Sequence, residues 1–191
     1  MFPLTSLIER DRGPAEAALY KAFSLADPQE LGSVGFEVLK NLPPLFGKCA
    51  QMSALWAKIL RDRHGIPAVV VAGDLLINGH AVFLCSENVA HPNDERRQLD
   101  WTGHCWIEVD GWLGDVSIFR TAGAIERPSV LKSFIHGHFG TSAGLMMVER
   151  AKLDAMGMRY IAKHVLTDDQ ISGLATGMRI ELQILKGNLT R

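Results

Sequence analysis

The stretch that decides the fold is "GKCAQMSALWAKIL", Gly47 to Leu60, which has the pattern of an amphipathic helix beginning almost on a cysteine. Its apolar residues recur at the i, i+3, i+4, i+7, i+8 spacing of a stripe that faces a core, and they are Met52, Leu55, Trp56, Ile59 and Leu60. Cys49 lies on the same stripe and is predicted to point toward the protein body. The first turn of a helix has unpaired N–H groups and the positive end of the dipole, which favour a thiolate. The sequence therefore predicts a helix over about 48–63 that starts with an ionisable thiol.

Composition places the chain among ordinary globular proteins and indicates a single domain over residues 1–191. It has 191 residues, 47% hydrophobic and 21% charged, with a formal net charge of −1. Such a balance gives no reason to expect nucleic acid or a membrane surface as partner, and no segment has the length and apolarity of a membrane span. Three cysteines without CxxC spacing argue against a disulfide framework and for a reducing, cytoplasmic location.

The segments around the opening helix predict an α+β fold, with helices toward the ends of the chain and hairpins in the middle. Helices are predicted over 13–25 and from Asp27 or Pro28 to Leu42, where prolines stop the second. "IPAVVVAG" reads as a buried strand, and Asn78-Gly79 and Asp110-Gly111 are hairpin turns. A helix over about 142–156, a strand near "MRYIAKHVL" and a final helix opened by a Thr167–Gln170 capping box complete the prediction.

Two of the candidate catalytic residues lie on the second hairpin. With Asp110-Gly111 as its turn, the register places His104, Trp106, Asp115 and Ser117 on one face of the sheet. His104 and Asp115 are then diagonal neighbours, as a base and its orienting acid require. If the opening helix packs on that face, it brings Cys49 toward His104. The predicted constellation is a triad of Cys49 as nucleophile, His104 as general base and acid, and Asp115 as the carboxylate that fixes the imidazole.

Other residues receive lesser roles. Backbone N–H groups at the start of the helix are predicted to stabilise an oxyanion, and Trp101 and Lys48 are the side chains predicted to contact the oxyanion or the substrate. Ser117 could support Asp115 or simply face solvent, and the second is the expectation. His80, directly after a turn, is expected to be exposed and is the rival base. Cys85 and Cys105 are interpreted as structural, with Cys105 on the face opposite His104.

The segments "GKCAQMSALWAKILRDRHGIPAVVVAG" and "GHCWIEVDGWLGDVS" resemble the transglutaminase-like superfamily, which has the papain-like cysteine-peptidase architecture. Cysteine, histidine and aspartate occur in the family's order. The resemblance covers residues 45–118 and implies a papain/transglutaminase-like core, a nucleophile helix packed on an antiparallel sheet. It implies Cys49 as nucleophile, His104 as base and Asp115 as orienting acid. Residues 1–44 are then a helical N-terminal segment and residues 119–191 a C-terminal α/β extension.

The function this predicts is thiol-dependent acyl transfer, by amide or peptide hydrolysis or by transfer to an amine, on a peptide, protein or small amide substrate and without a cofactor. A second hypothesis is an inactive binding module on the same fold, since Val116 follows Asp115 where the family often has proline. A third is a metal hydrolase in which His136 and His138, two apart on a strand, bind an ion with His80, His91 or Asp94. No HExxH or paired CxxC supports the third, and no resident metal is predicted.

Overall fold

The computed structural model describes residues 3–43, 47–90, 101–141 and 144–189. Within these ranges the helices are α1 (Leu4–Arg12), α2 (Pro14–Ala22), α3 (Pro28–Asn41), α4 (Cys49–His64), α5 (Ile118–Ala124), α6 (Val130–Phe139) and α7 (Asp168–Leu189). The strands are β1 (Val69–Ile77), β2 (His80–Phe83), β3 (His104–Val109), β4 (Trp112–Asp115), β5 (Met146–Glu149) and β6 (Met158–Val165). The α+β class predicted from the sequence is confirmed. None of the helices in these ranges has both the length and the apolar character needed to cross a membrane.

Helix α4 begins at Cys49, as its sequence pattern predicts, and ends where Gly65 takes a left-handed conformation with φ 64°. Its stripe is fully buried at Met52, Trp56 and Leu60. The Trp56 indole N–H donates to the Leu31 carbonyl at 3.1 Å, which fixes α4 against α3. The apolar spacing therefore produces a helix whose thiol-bearing end is held in place by its own core contacts.

All pairings in the sheet are antiparallel, and β1 is its central strand. Residues 71–73 of β1 pair with both β3 and β6, and residues 75–77 pair with both β2 and β6. Strand β6 therefore lies along one edge of β1, while β3 and β2 follow each other along the other edge. Strands β4 and β5 extend the sheet beyond β3. As a result the end of β2 and the beginning of β3 lie side by side.

Both predicted hairpin turns are confirmed. Asn78 and Gly79 have φ values of 48° and 80°, and Asp110 and Gly111 have φ values of 44° and 74°. Positive φ at both central residues is the signature of a type I′ turn. The second turn pairs Val109 with Trp112, the register that the sequence predicts.

The sheet is covered by helices on both faces. Helices α3, α4 and α7 pack on the face that carries Cys105, Ile107 and Val109. Helices α1, α5 and α6 pack on the opposite face, with Trp106 and Leu113. The expectation that α4 packs on the His104 face is therefore wrong, because alternate residues of β3 point to opposite faces and α4 lies over the Cys105 side.

The helix predicted over about 142–156 is wrong. Residues 142 and 143 lie outside the described residues, and Met146–Glu149 form strand β5, which pairs with β4. Two short 3-10 turns, Arg150–Lys152 and Asp154–Met156, follow it. The segment is rich in Met, Ala and Leu, which favour helix. Its pairing with the free edge of β4 makes residues 146–149 a strand, because tertiary pairing outweighs local propensity.

The predicted ends of two helices are confirmed. The Asp27 side chain accepts a hydrogen bond from the Gln29 N–H at 2.8 Å and caps α3. At α7, Thr167 N–H donates to Gln170 Oε1 at 2.8 Å and Gln170 N–H donates to Thr167 Oγ1 at 3.3 Å, a reciprocal capping box. The strand predicted near "MRYIAKHVL" is β6. Helix α1 was not predicted, and the helix predicted over 13–25 is the shorter α2.

Candidate active site

The N-terminus of α4 places Cys49 at the wall of a cavity of about 480 Å³, which Phe83, Trp101 and His104 also line. The cap residue Lys48 makes no side-chain capping bond, and the first turn of α4 has no acidic residue. The positive end of the helix is therefore not compensated by its own side chains. Cys49 is partly buried and lies where a thiolate gains most from this end of the helix.

His104 is the first residue of β3 and its side chain is almost fully buried. Its Nε2 lies 2.5 Å from Asp115 Oδ2. Cys49 lies close enough to raise the pKa of His104, and Nδ1 is the ring nitrogen that Asp115 does not engage and that can face the thiol. The imidazole thus bridges the thiol and the carboxylate, and the structure brings the three residues of the predicted triad together.

Asp115 is completely buried and accepts a full set of hydrogen bonds. Its Oδ1 accepts from the Ser117 N–H at 2.9 Å, the Ser117 hydroxyl at 3.0 Å and the Ile118 N–H at 3.0 Å. Its Oδ2 accepts from the Tyr160 hydroxyl at 2.9 Å as well as from His104. The expectation that Ser117 faces solvent is wrong, because the turn after β4 directs its hydroxyl onto the carboxylate.

Tyr160 is the residue that sequence reasoning missed. It lies on β6, opposite Leu75 of the central strand, and is buried. No motif marks it, because its distance from Asp115 along the chain gives no local signal. Only the pairing of β6 with β1 brings it to the site.

Cys49 reaches His104 because each is the first residue of its element, although α4 covers the opposite face of β3. The Ser53 hydroxyl, one turn along α4 from Cys49, donates to the Cys105 carbonyl at 3.1 Å. This bond holds the beginning of α4 over the beginning of β3. The thiol therefore comes near the imidazole at the beginning of the strand, where both residues line the same cavity, rather than across the face of the sheet.

The charges of the site favour a thiolate–imidazolium pair. The pKa of Cys49 lies well below its usual value because the neighbouring Cys105 thiol and the charge of His104 stabilise the thiolate, which outweighs burial. Burial lowers the pKa of His104, but Asp115 and Cys49 together raise it to about 10. Burial has the opposite effect on the pKa of Asp115, which it raises, because here the charged form is the deprotonated one. The contacts with His104, Ser117 and Tyr160 outweigh burial and bring the pKa of Asp115 below its usual value.

Aromatic rings fix the plane of the imidazole. Phe83, at the end of β2, stacks on His104 with ring centroids 4.8 Å apart and planes inclined by 12°. The rings of Trp106 and Tyr160 lie 6.3 and 6.1 Å from it. This enclosure excludes water from one side of the pair and strengthens the electrostatic interactions within it.

A buried ion pair supports the ring of Trp106. The Trp106 indole N–H donates to Glu108 Oε1 at 2.7 Å, and the same oxygen accepts from Arg150 at 2.5 Å. Arg150 also donates to the Tyr160 carbonyl at 2.6 Å. Burial raises the pKa of Glu108 despite these partners. The network ties β3, β5 and β6 together behind the imidazole.

The two side chains predicted to contact the oxyanion are engaged elsewhere. The Trp101 indole N–H donates to the Glu87 carbonyl at 2.9 Å, and the Lys48 ammonium pairs with Glu181 of α7 at 3.0 Å. Both residues also line the cavity, and their predicted contact with the oxyanion or the substrate stays a prediction. Gln51, in the first turn of α4, is a further polar side chain in the same wall.

His80, His136 and His138 of the alternative hypotheses do not line the cavity that holds Cys49 and His104. His80 is exposed, as expected. His136 and His138 are on helix α6 and not on a strand, so side chains two residues apart diverge, and His138 donates to the Phe134 carbonyl at 3.0 Å. His91 and Asp94 lie outside the described residues. Within the described ranges no group of three or more metal-binding side chains is assembled.

Comparison with known proteins shows no family for this chain. No family model and no curated protein matches it. A solved structure described as "The crystal structure of genomics APC5867" matches with a TM-score of 0.37 and 18% identity, over 74% of this chain and 66% of that one. A likeness at this level does not bear on function, so the functional argument depends on the residues of the site.

Proposed function

We propose that the protein is a thiol-dependent acyl-transfer enzyme that hydrolyses amide or peptide bonds. The observation that supports this most directly is the buried Asp115–His104 pair joined to Cys49 at the wall of a cavity. A transglutaminase-like, papain-like core is part of the same proposal. It is supported by the order Cys49, His104, Asp115 and by the antiparallel sheet that follows the cysteine helix.

The first half of the reaction forms a thioester. The Cys49 thiolate attacks the carbonyl carbon, and the oxyanion that develops is stabilised by N–H groups in the first turn of α4. The imidazolium of His104 gives its proton to the leaving amine as the C–N bond breaks. The amine leaves with this proton as a neutral molecule, and the acyl group remains on the Cys49 sulfur.

The second half returns the enzyme to its resting state. His104, now neutral, accepts a proton from water as the water oxygen attacks the thioester. The C–S bond breaks, the carboxylic acid leaves and the Cys49 thiolate is restored beside the imidazolium. Throughout both halves Asp115 holds Nε2 of the ring, so that Nδ1 faces the thiol.

A covalent test does not require knowledge of the natural substrate. Wild-type protein is mixed with a panel of acylated amino acid p-nitroanilides and quenched in acid, and the acyl-enzyme is located by peptide mass mapping. We expect acylation at Cys49 in the wild type and in Cys85→Ala, and none in Cys49→Ala. Acylation spread equally over Cys49 and Cys85, or turnover retained in Cys49→Ala, would contradict the proposal.

A second candidate is a binding module that uses the cavity without turnover. The observation that favours it is that Lys48 and Trp101 are engaged by Glu181 and by the Glu87 carbonyl, away from any oxyanion. The same experiment separates the two candidates. A module would protect Cys49 from alkylation when ligand is bound, but would leave no acyl group on sulfur.

A further inference from the structure

Cys105 is a buried thiol next to Cys49 that the proposed acyl transfer does not use. It is the second residue of β3, has no exposed surface and lies on the face covered by α4. Its thiol lies close enough to that of Cys49 for each to shift the pKa of the other, downward for Cys49 and upward for Cys105. The bond from Ser53 to the Cys105 carbonyl, at 3.1 Å, holds the two elements together one helical turn away.

The two sulfurs differ in the properties that decide thiol oxidation. Cys49 borders the cavity, so small solutes reach it. Cys105 is enclosed, and its burial and the neighbouring Cys49 sulfur raise its pKa well above the usual value. Peroxides react with accessible thiolates, and the sulfenic acid that forms condenses with a nearby thiol. Cys49 thus has the properties of a peroxide-sensitive thiol, whereas Cys105 stays protonated and shielded from peroxide. When Cys49 becomes a neutral sulfenic acid, its charge no longer raises the pKa of Cys105, and the Cys105 thiol is next to the sulfur that it must attack.

We propose that Cys105 is a resolving cysteine, and that oxidation of Cys49 by a peroxide ends in a reversible Cys49–Cys105 disulfide that closes the active site. This goes beyond the proposed acyl transfer, since it needs only the two adjacent sulfurs. Cys49 is at the end of α4 with its side chain at the cavity, so it is the partner that rotates to bring the sulfurs to the ~2.05 Å of a disulfide.

The chemistry proceeds in two steps. The Cys49 thiolate attacks one peroxide oxygen and the O–O bond breaks. With hydrogen peroxide the leaving hydroxide becomes water by taking the proton of the His104 imidazolium. The Cys105 sulfur then attacks the Cys49 sulfenic sulfur. The S–O bond breaks, the S–S bond forms, and the Cys105 proton leaves in a second water molecule. Two thiols lose two electrons in total and one peroxide gains them.

The disulfide has two consequences for the site. It removes the nucleophile and leaves His104 without the thiolate that helps to keep it protonated. It also stops the oxidation of Cys49 before the irreversible sulfinic and sulfonic acids, and a dithiol reductant restores the enzyme. The structure thus points to a switch that inactivates and protects the same residue.

The test is a mass measurement on the full chain after titration with hydrogen peroxide. We expect the wild type to lose two hydrogens, to yield a Cys49–Cys105 cross-linked peptide, and to recover with dithiothreitol. In Cys105→Ser, Cys49 should be trapped by dimedone as sulfenic acid and then proceed to sulfinic acid about tenfold faster than in the wild type. Cys85→Ser is the matched control and should behave as the wild type.

Several results would overturn the proposal. One is the formation of sulfinic acid at Cys49 of the wild type as fast as in Cys105→Ser. Another is a cross-link from Cys49 to Cys85. If Cys105→Ser does not fold, the wild-type cross-link map decides alone. The experiment measures mass and not turnover, so it tests the disulfide even in a protein that has no acyl-transfer activity. Failure of the disulfide proposal is therefore distinguishable from failure of the proposed acyl transfer.

Discussion

Replacement of Asp115 by asparagine probes the charge relation on which the site depends. The amide NH2 group cannot sit at the Oδ1 position, because two backbone N–H groups, from Ser117 and Ile118, point at that atom. It must therefore take the Oδ2 position and donate toward His104. The imidazole then accepts at Nε2 and carries its proton on Nδ1, as a neutral ring. The fold is retained but the imidazolium is not.

The size of the effect follows from the pKa of His104, which is raised from 6.5 to about 10. That rise corresponds to about 5 kcal/mol in favour of the imidazolium. Asp115 is the larger of the two raising influences, ahead of Cys49. Its carboxylate therefore accounts for at least half of this free energy, on the order of 2–3 kcal/mol, or roughly 30- to 150-fold in the population of the ion pair. The pKa of Cys49, held low partly by that imidazolium, should rise toward its usual value in Asp115→Asn.

The assay is the second-order rate of iodoacetamide alkylation at Cys49, read by peptide mass mapping from about pH 5 to about pH 9. Cys85 is the internal control, since burial and Asp74 raise its pKa to about 11. Asp154→Asn, a substitution at an exposed aspartate, is the matched variant. We expect the wild-type rate at mildly acidic pH to be roughly 50-fold above that of Asp115→Asn. Coincident profiles for the two proteins would refute the reasoning.

Three further perturbations test the surroundings of the site. Tyr160→Phe removes one donor from Asp115 without changing the ring, and should lower the free energy of unfolding by about 1–2 kcal/mol in a urea titration. Arg150→Leu leaves the buried carboxylate of Glu108 unpaired and should cost about 3–5 kcal/mol, part of which returns when Glu108→Gln is added. Gly35→Ala should cost about 1–3 kcal/mol, because the new Cβ would lie 2.8 Å from the α4 tryptophan.

Each of these has an outcome that would count against its reasoning. Unfolding of Tyr160→Phe at the wild-type urea midpoint would mean that the hydroxyl has no net effect on stability. If the double variant Arg150→Leu/Glu108→Gln is no more stable than Arg150→Leu, the unpaired charge of Glu108 is not the cause of the lost stability. For Gly35→Ala the matched control is Gly123→Ala, since a Cβ at Gly123 meets no atom, and equal losses in both would exclude the steric explanation.

The local features of the fold could be predicted from the sequence. The start of α4 at Cys49, the type I′ turns and the Thr167 capping box are all fixed by neighbouring residues, and the structure has each where it is predicted. The hairpin register also follows from its turn, so the proximity of His104 and Asp115 could be deduced. These features depend on interactions within a few positions or across one tight turn.

What the sequence could not supply depends on distant partners. The combined packing of three helices decides which face of β3 is covered by α4. The position of Tyr160 is decided by the pairing of β6, a strand from a distant part of the chain, with β1. The segment of β5 has helical propensity, and only the free edge of β4 makes it a strand. Ser117 was misjudged because a serine after a turn usually faces water, whereas here it binds a buried carboxylate.

The position of β6 has a consequence for the way the protein is made. Asp74 in the central strand pairs with Ile161, so one edge of that strand is unsatisfied until a much later part of the chain has been synthesised. Long-range antiparallel pairing of this kind slows folding, because the entropy of closing the loop must be lost before the contacts form. During translation, the cysteine helix is therefore complete well before the tyrosine that orders its aspartate exists. Cys49 and His104 therefore acquire the full set of contacts described above only after β6 has paired with the central strand.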